Sequence, residues 1–407
     1  MDQNNLVILI IKQFYIFFFI ILIFLLGYVT FFQLILGYLI FCVIIRYTSF
    51  SYLYYNKNDE NIKLILNNCP SIKSLNYTPP FFFSINPFQL VNLSRSKITS
   101  NYKINIINEK ICSNGVSLDW ISYENINNSD GPILMILPGL TGSVNDAYVI
   151  NLVDKAIKEG FIVCIYQMRL LNENVKIPEK RYLFLMDDLD LTLNEILKKY
   201  NNEKKIFAVG FSYGANQIVR YLGEYNYINK KIFGAVSISN PYEMIITSRF
   251  GKDKLYDRML LMFCQEVFIK TRKSLENDKK LNLNCDLIQN TNSLYIFDTE
   301  YTAKIFGFDN ASDYYRNVGC AKFIKNINVP LLCIHSLDDQ VTVKYAIPYD
   351  SIQQNKNIIL LTTSHGTHSC FLEDDGFFHV RQWVPKPSIE FLKAVNNINN
   401  NNDLLKF

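Results

Sequence analysis

"AVGFSYGANQIV", Ala208–Val219, sets one polar residue, Ser212, between Gly210 and Gly214. An apolar run ends at Phe211 and a helical pattern begins at Tyr213. A chain that turns directly from strand to helix forces its corner residue into a strained conformation. Side chains at the two flanking positions would collide across such a turn, and glycine removes the collision. The product is a hydroxyl pushed out at the carboxyl edge of a sheet, beside the positive end of a helix. The Gly-x-Ser-x-Gly match by itself is weak in a chain with 16 glycines, and an ordinary glycine-rich βα turn would match it too. The strand–turn–helix setting is what gives it meaning.

The surroundings supply that setting. Runs rich in Ile, Val and Leu at 133–137, 161–167, 205–211, 232–239, 329–336 and 357–363 read as strands buried on both faces. Helical patterns fall at 146–158, 187–200, 213–224 and 388–397. Such alternation implies an α/β fold, a mostly parallel sheet with right-handed crossovers and helices on both faces. One insertion, 241–326, separates the fourth strand from the fifth and reads mostly as helices. It is expected to cap the sheet edge.

A serine hydroxyl becomes a nucleophile when a base takes its proton. The chain has four histidines, His335, His365, His368 and His379. On a strand–elbow–helix scaffold the partners follow the serine in the order acid, then histidine. His335 lies inside an expected strand, before the expected acid, and suits a packed core. His379 follows "DDGFF" in an expected surface segment. That leaves the loop "SHGTHSCF", where either His365 or His368 satisfies the spacing. The acid is expected after the penultimate strand, at Asp338 or Asp339, where a carboxylate can hold the imidazole tautomer. Two solvated loop acids are the blander reading of that pair. An oxyanion needs two backbone donors: Tyr213 N–H after the serine, and Leu140 N–H in "ILPGLTGS", where Gly139 allows close approach.

Composition narrows the alternatives. The 407 residues are 49% hydrophobic and 19% charged, with a net charge of +4. So small a surplus, without a basic stripe, argues against nucleic acid as a partner. Nine scattered cysteines without a Cys-x-x-Cys pair argue against a disulfide framework or zinc site and read as small buried hydrophobes. No metal or organic cofactor is expected. Matches to Asn-x-Ser/Thr at Asn76, Asn92, Asn127 and Asn310 carry little information in a chain this rich in Asn. From Phe14 to Ile45 no residue is charged, a run of 32 positions. A helix needs roughly 20 apolar residues to span a bilayer, so a single transmembrane pass is expected. A hairpin turning near Gly27 is the alternative, and it would put Lys12 in the membrane at a cost of ~2.5–3.5 kcal/mol. Charges flanking the run do not set its orientation.

Taken together, "NGVSLDW", "LPGLTGS", "GFSYGANQIVRYLGE", "VSISNPYEM", "IFDTEYTAKIFGFDNASDYYRN", "VPLLCIHSLDD", "HGTHSCFLE" and the later "WV" resemble AB hydrolase family 4. These are membrane-anchored α/β-hydrolase-domain esterases and lipases, and the resemblance runs from about 79 to 392. It implies an α/β-hydrolase fold and a Ser-His-Asp triad of Ser212, His368 and Asp339, with His365 as a neighbour. The chain departs from the family pattern at Thr367 and Ala215, where glycine is usual, and at Val343, where proline is usual. "YQMRLL" keeps only Arg169 of an Asn-x-Arg-Gly stretch. The chain is expected to divide into an anchor (1–46), a lead-in segment (47–105), a hydrolase domain (106–398) with its cap insertion, and a disordered tail (399–407). The resemblance implies a hydrolase of carboxylic esters, with acylglycerols, phospholipids or small esters as substrates, in an endomembrane such as the endoplasmic reticulum. An acyltransferase on the same scaffold and a catalytically inactive membrane-bound binding protein are the rival readings.

Overall fold

The computed structural model describes residues 18, 32–44, 46–75, 77–80, 104–111, 115–124, 130–172, 175–178, 184–226, 230–251, 255–276, 278–375 and 380–400. Its central strands are β4 (Ile133–Leu137), β5 (Ile162–Gln167), β6 (Ile206–Phe211), β7 (Ile232–Ile238), β8 (Leu331–Ser336) and β9 (Ile358–Thr363). All six neighbour one another in parallel. They are the six apolar runs, and β4, β6, β8 and β9 are buried along their whole length. Three antiparallel strands extend the sheet: β1 (Ser51–Tyr55) on β9, and β2 (Ile104–Lys110) on β3 (Ser117–Tyr123), which pairs with β5. The order is β1-β9-β8-β7-β6-β4-β5-β3-β2. β1 and β2 escape an apolar-run search because each is a partly exposed edge strand in which polar or aromatic residues interrupt the aliphatic ones.

Strand residues alternate between two cores, as a period of two requires. On one face Leu134, Ile136, Phe207 and Val209 meet Leu152 and Val153 of α2 (Ala147–Lys158) and Phe391 and Leu392 of α8 (Pro385–Asn400). The lead-in helix α1 (Glu60–Asn67) adds Ile62 and Ile65 to that core. On the other face Met135, Ala208 and Leu331 meet Leu189 and Leu193 of α3 (Phe184–Lys199) and Ile218 and Val219 of α4 (Tyr213–Tyr221). The 241–326 insertion lies between β7 and β8. Its main helices are α5 (Met244–Gly251), α6 (Leu255–Leu275) and α7 (Ala311–Val318).

Several expectations shift. The helix expected over 213–224 ends as an α-helix at Tyr221 and widens into a π turn over Leu222–Asn226. There a Cβ on Gly223 would lie 2.2 Å from Phe323 O. The last helix reaches Asn400, into the expected tail, whose residues 401–407 lie outside the described residues. Of the expected anchor, 1–17, 19–31 and 45 lie outside them too; 32–44 and 46–48 are helical. No helix among the described residues is long and apolar enough to cross a membrane. Asn76, Asn92, Asn127, His379 and Cys112 also lie outside the described residues. The other eight cysteines are buried free thiols. Asn310 caps α7 by accepting the Asp313 N–H at 3.0 Å.

Candidate active site

Ser212 stands at the corner between β6 and α4 with φ +52° and ψ −116°, in the left-handed half of conformational space that a residue with a Cβ rarely enters. Its glycine neighbours are there for space. A Cβ on Gly210 would lie 2.5 Å from Gly214 O, and one on Gly214 would lie 2.2 Å from Leu137 O. The Ser212 N–H donates to Ile238 O at 2.9 Å, which fastens the corner to β7.

His368 meets that hydroxyl: its Nε2 is 2.9 Å from Ser212 Oγ and its Nδ1 is 2.9 Å from Asp339 Oδ2. A carboxylate beside Nδ1 makes Nδ1 the protonated nitrogen, so Nε2 accepts the serine proton. Asp339 is held from the other side. Its Oδ1 accepts Val341 N–H at 2.8 Å and Thr342 N–H at 2.9 Å, and its Oδ2 accepts the Thr342 hydroxyl at 2.6 Å. Burial by itself would push the Asp339 carboxyl up. His368, His335 and the Thr342 hydroxyl outweigh it and leave the carboxyl below the usual range.

The second acid and second histidine of the sequence form their own pair. Asp338 Oδ2 is 3.6 Å from His365 Nδ1. Asp338 Oδ1 accepts the Thr367 N–H at 2.8 Å and also the Ser336 hydroxyl. Thr367 sits at φ +48°, which accounts for the glycine usual at this position in the family that the chain resembles. The Asp338 bond holds a β-branched residue in that conformation, one residue before His368. His335 is buried in β8. Its Nε2 donates to Thr342 O at 2.7 Å, and burial lowers its pKa. It therefore braces the acid loop from below. Sequence reasoning singled out neither Thr342 nor this brace; the available signal was a loop Asp, whose carboxylate can accept the N–H two residues on and close an Asx turn, as Asp339 does with Val341.

Leu140 lies in the turn after β4, and Gly139 brings that turn against Ser212: a Cβ on Gly139 would be 3.6 Å from Ser212 Cβ. The Gly139 N–H is taken by Tyr148 Oη at 3.2 Å. The Tyr213 N–H opens α4, where helical amides lack internal acceptors. Among the described residues, neither the Leu140 N–H nor the Tyr213 N–H donates to another protein atom. The Tyr213 side chain is buried and its Oη lies 3.2 Å from Tyr314 Oη on α7, joining the cap to the elbow. Arg169 points away from this chemistry, forking onto Asp188 of α3 and donating to Lys176 O at 2.9 Å. No group of three His, Cys, Asp or Glu among the described residues is placed to hold a metal ion.

A sheet of this order, an elbow serine after β6, an acid loop after β8 and a histidine loop after β9 invite comparison with known proteins. The family model described as "alpha/beta hydrolase fold" matches residues 132–375, which include the six parallel strands, the elbow serine, the acid loop and the histidine loop. The chain belongs to that family. Among its relatives, this α/β-hydrolase is 30% identical over 272 residues to the Embryogenesis-associated protein EMB8 of Picea glauca, covering 65% of this chain and 59% of that one. It is 26% identical over 294 residues to the human Phospholipase ABHD3, covering 69% and 70%. It is 30% identical over 285 residues to the Monoacylglycerol lipase of Saccharomyces cerevisiae, covering 66% and 60%. The chain thus spans about three fifths of the spruce and yeast proteins. The activities in the two enzyme names, phospholipase and lipase, are both ester hydrolyses.

Proposed function

We propose that this chain is a membrane-anchored serine hydrolase of AB hydrolase family 4 that cleaves carboxylic esters, with acylglycerols or phospholipids as the substrate class. One observation carries the reading: the hydrogen-bond line Ser212 Oγ–His368–Asp339, with both links at 2.9 Å. His368 Nε2 takes the hydroxyl proton as Ser212 Oγ attacks the acyl carbonyl. The buried, ionised Asp339 stabilises the resulting imidazolium. The Leu140 and Tyr213 amides donate hydrogen bonds to the tetrahedral oxyanion. His368 then gives its proton to the departing alcohol, and an acyl-Ser212 ester remains. Water, activated by the same ring, adds to that ester and releases the carboxylic acid and free serine.

Lipid as substrate is supported by the printed names of the relatives and by the apolar, charge-free run 14–45. A single-pass anchor in an endomembrane would keep the site beside its substrate. A fluorophosphonate probe tests the chemistry: it should label the wild type and not Ser212→Ala, and equal labelling of both would remove Ser212 from the mechanism. Alkaline carbonate washing tests the anchor, and release of the full chain into the supernatant would refute it.

A further inference from the structure

β1 runs antiparallel to β9 with Ser51 opposite Thr363. The chain leading into β1 therefore arrives at the carboxyl edge of the sheet, where β9 ends and the histidine loop begins. Two bonds fix the arrival: Ser364 N–H donates to Phe50 O at 2.8 Å, and Phe50 N–H donates to Ser364 Oγ at 3.1 Å. Arg46 forms an ion pair with Asp374, six residues beyond His368. The helical residues 32–44 just upstream present exposed Phe32, Leu36, Ile40 and Ile44. The apolar helical residues 32–44 thus lead toward the edge that carries Ser212 and His368.

The cap presents a second apolar surface there. α6 buries Leu261, Cys264, Phe268, Thr271 and Leu275. On its opposite side Leu255, Met262 and Ile269, spaced by sevens, lie on one line and are 67%, 62% and 54% exposed. Phe250, also exposed, stacks on exposed Tyr345 with ring centroids 4.9 Å apart, and Tyr345 belongs to the turn after the acid loop. α6 packs against the turn Arg169–Leu171 that follows β5, which places it at the carboxyl edge of the sheet. Cations accompany this surface. α6 carries Arg258, Lys270 and Lys273 against Asp257 and Glu266, its Arg272 being paired with Glu276, and Arg249 and Lys344 are exposed beside the Phe250–Tyr345 stack. An apolar helix stripe bordered by cations is suited to the boundary between acyl chains and anionic headgroups.

We propose that the carboxyl edge of the sheet faces a lipid bilayer, with Leu255, Met262, Ile269, Phe250 and Tyr345 entering the headgroup–acyl boundary, so that Ser212 takes its ester directly from the membrane. The inference rests on the membrane-anchored reading above and adds the side of the domain that docks. A second copy of the chain could cover the same stripe, but the apolar helical residues 32–44 leading to this edge and the bordering cations favour lipid.

The test uses the full chain reconstituted in phosphatidylcholine–phosphatidylserine vesicles. Met262→Cys and, independently, Ile269→Cys are labelled with an environment-sensitive fluorophore. Asn202→Cys, in an exposed turn before β6 at the opposite edge, serves as reference. The unsubstituted chain gives the background from native thiols. Brominated acyl chains should quench most of the emission at 262 and 269 and little of that at 202. Equal quenching at the three sites, or none at 262 and 269, overturns the inference. So does a spectral change at 262 that follows protein concentration rather than bromine, which would mark a face between copies. Fluorophosphonate labelling and carbonate retention are read on the same samples. A retained, labelled protein with unquenched 262 and 269 refutes the docking side alone. Release by carbonate strikes the anchored reading and takes this inference with it.

Discussion

The two histidines of one loop differ in what they touch, and their removal should differ accordingly. His368 is bonded at both nitrogens, at 2.9 Å to Ser212 and 2.9 Å to Asp339. Replacing it by alanine deletes the general base, a loss of ~10²–10⁴-fold in rate, which is about 2.7–5.5 kcal/mol of transition-state stabilisation. The fold should survive, because Val341 and Thr342 still donate to Asp339. His365 lies 3.6 Å from Asp338, beyond hydrogen-bond reach, and its side chain is 23% exposed. Such a pair contributes ~0.2–1 kcal/mol, so His365→Ala should lose at most about 5-fold, while Asp338 keeps its bond to the Thr367 amide. The two variants should therefore be separated by at least ~20-fold. The assay is kcat/KM on a soluble p-nitrophenyl ester, with thermal melting to establish that both variants are folded. Equal losses, or a larger loss for His365→Ala, would refute the assignment of His368 as the base.

Three further outcomes follow from contacts in the scaffold. Gly214→Ala within a helix would ordinarily stabilise by ~1 kcal/mol, but here the Cβ would lie 2.2 Å from Leu137 O; urea unfolding should show destabilisation of ~1–3 kcal/mol or more, and a neutral result would contradict the elbow packing. Arg169→Ala leaves Asp188 buried without its fork and should cost ~3–5 kcal/mol in the same measurement; a loss below ~1 kcal/mol would show the pair to be dispensable. Asp298, buried in the cap with the Tyr315 and Thr302 hydroxyls on its carboxyl, has its pKa raised by burial from 3.8 to about 6. Above the folded value the native state carries a buried charge that the unfolded chain hydrates. Below the unfolded value neither state carries it. The wild type should therefore gain up to about 3 kcal/mol relative to Asp298→Asn as pH falls from neutral to about 4. A pH-independent difference in urea midpoints would refute the assignment.

What the sequence makes legible depends on how local its cause is. The elbow is local: collision between positions 210 and 214 forces two glycines within five residues, so the motif is visible before any partner is known. The six central strands are legible because burial on both faces leaves continuous apolar runs. β1 is not, since "SYLYY" gains its meaning only by pairing with β9 some 300 residues later. The histidine loop sits between these extremes. Spacing narrows the base to His365 or His368 and the acid to Asp338 or Asp339, and residue type cannot separate them, because each histidine finds its own acid. Only the fold, or the family resemblance, distinguishes the pair that reaches Ser212 from the pair that holds Thr367. The Asp298–Tyr315 contact inside the cap carries no sequence signal, since both residue types are common on exposed helices as well.

Strain at this site is distributed in a way that accounts for its geometry. Nine described residues other than glycine have positive φ, and four of them surround the nucleophile: Ser212, Ser239, Thr367 and Ser369. A single such residue costs ~1–2 kcal/mol, and unsupported it would relax. Here each strained residue donates its own N–H to the next segment of the rim. Ser212 donates to Ile238 O at the end of β7. Ser239, next in the chain, donates to Ile334 O of β8. Ser369 donates to the hydroxyl of that same Ser239, and Thr367 to Asp338 beyond β8. The bonds run sideways across the sheet, from the serine corner through β7 and β8 to both sides of His368. Relaxing any one corner would cost the bond that holds its neighbour, so the unfavourable conformations are retained together. The two 2.9 Å contacts of His368 thus rest on a cross-linked rim and not on the rotamer preference of a mobile loop. That is the pre-organisation a proton relay needs, because an imidazole displaced by even an ångström loses much of its effect.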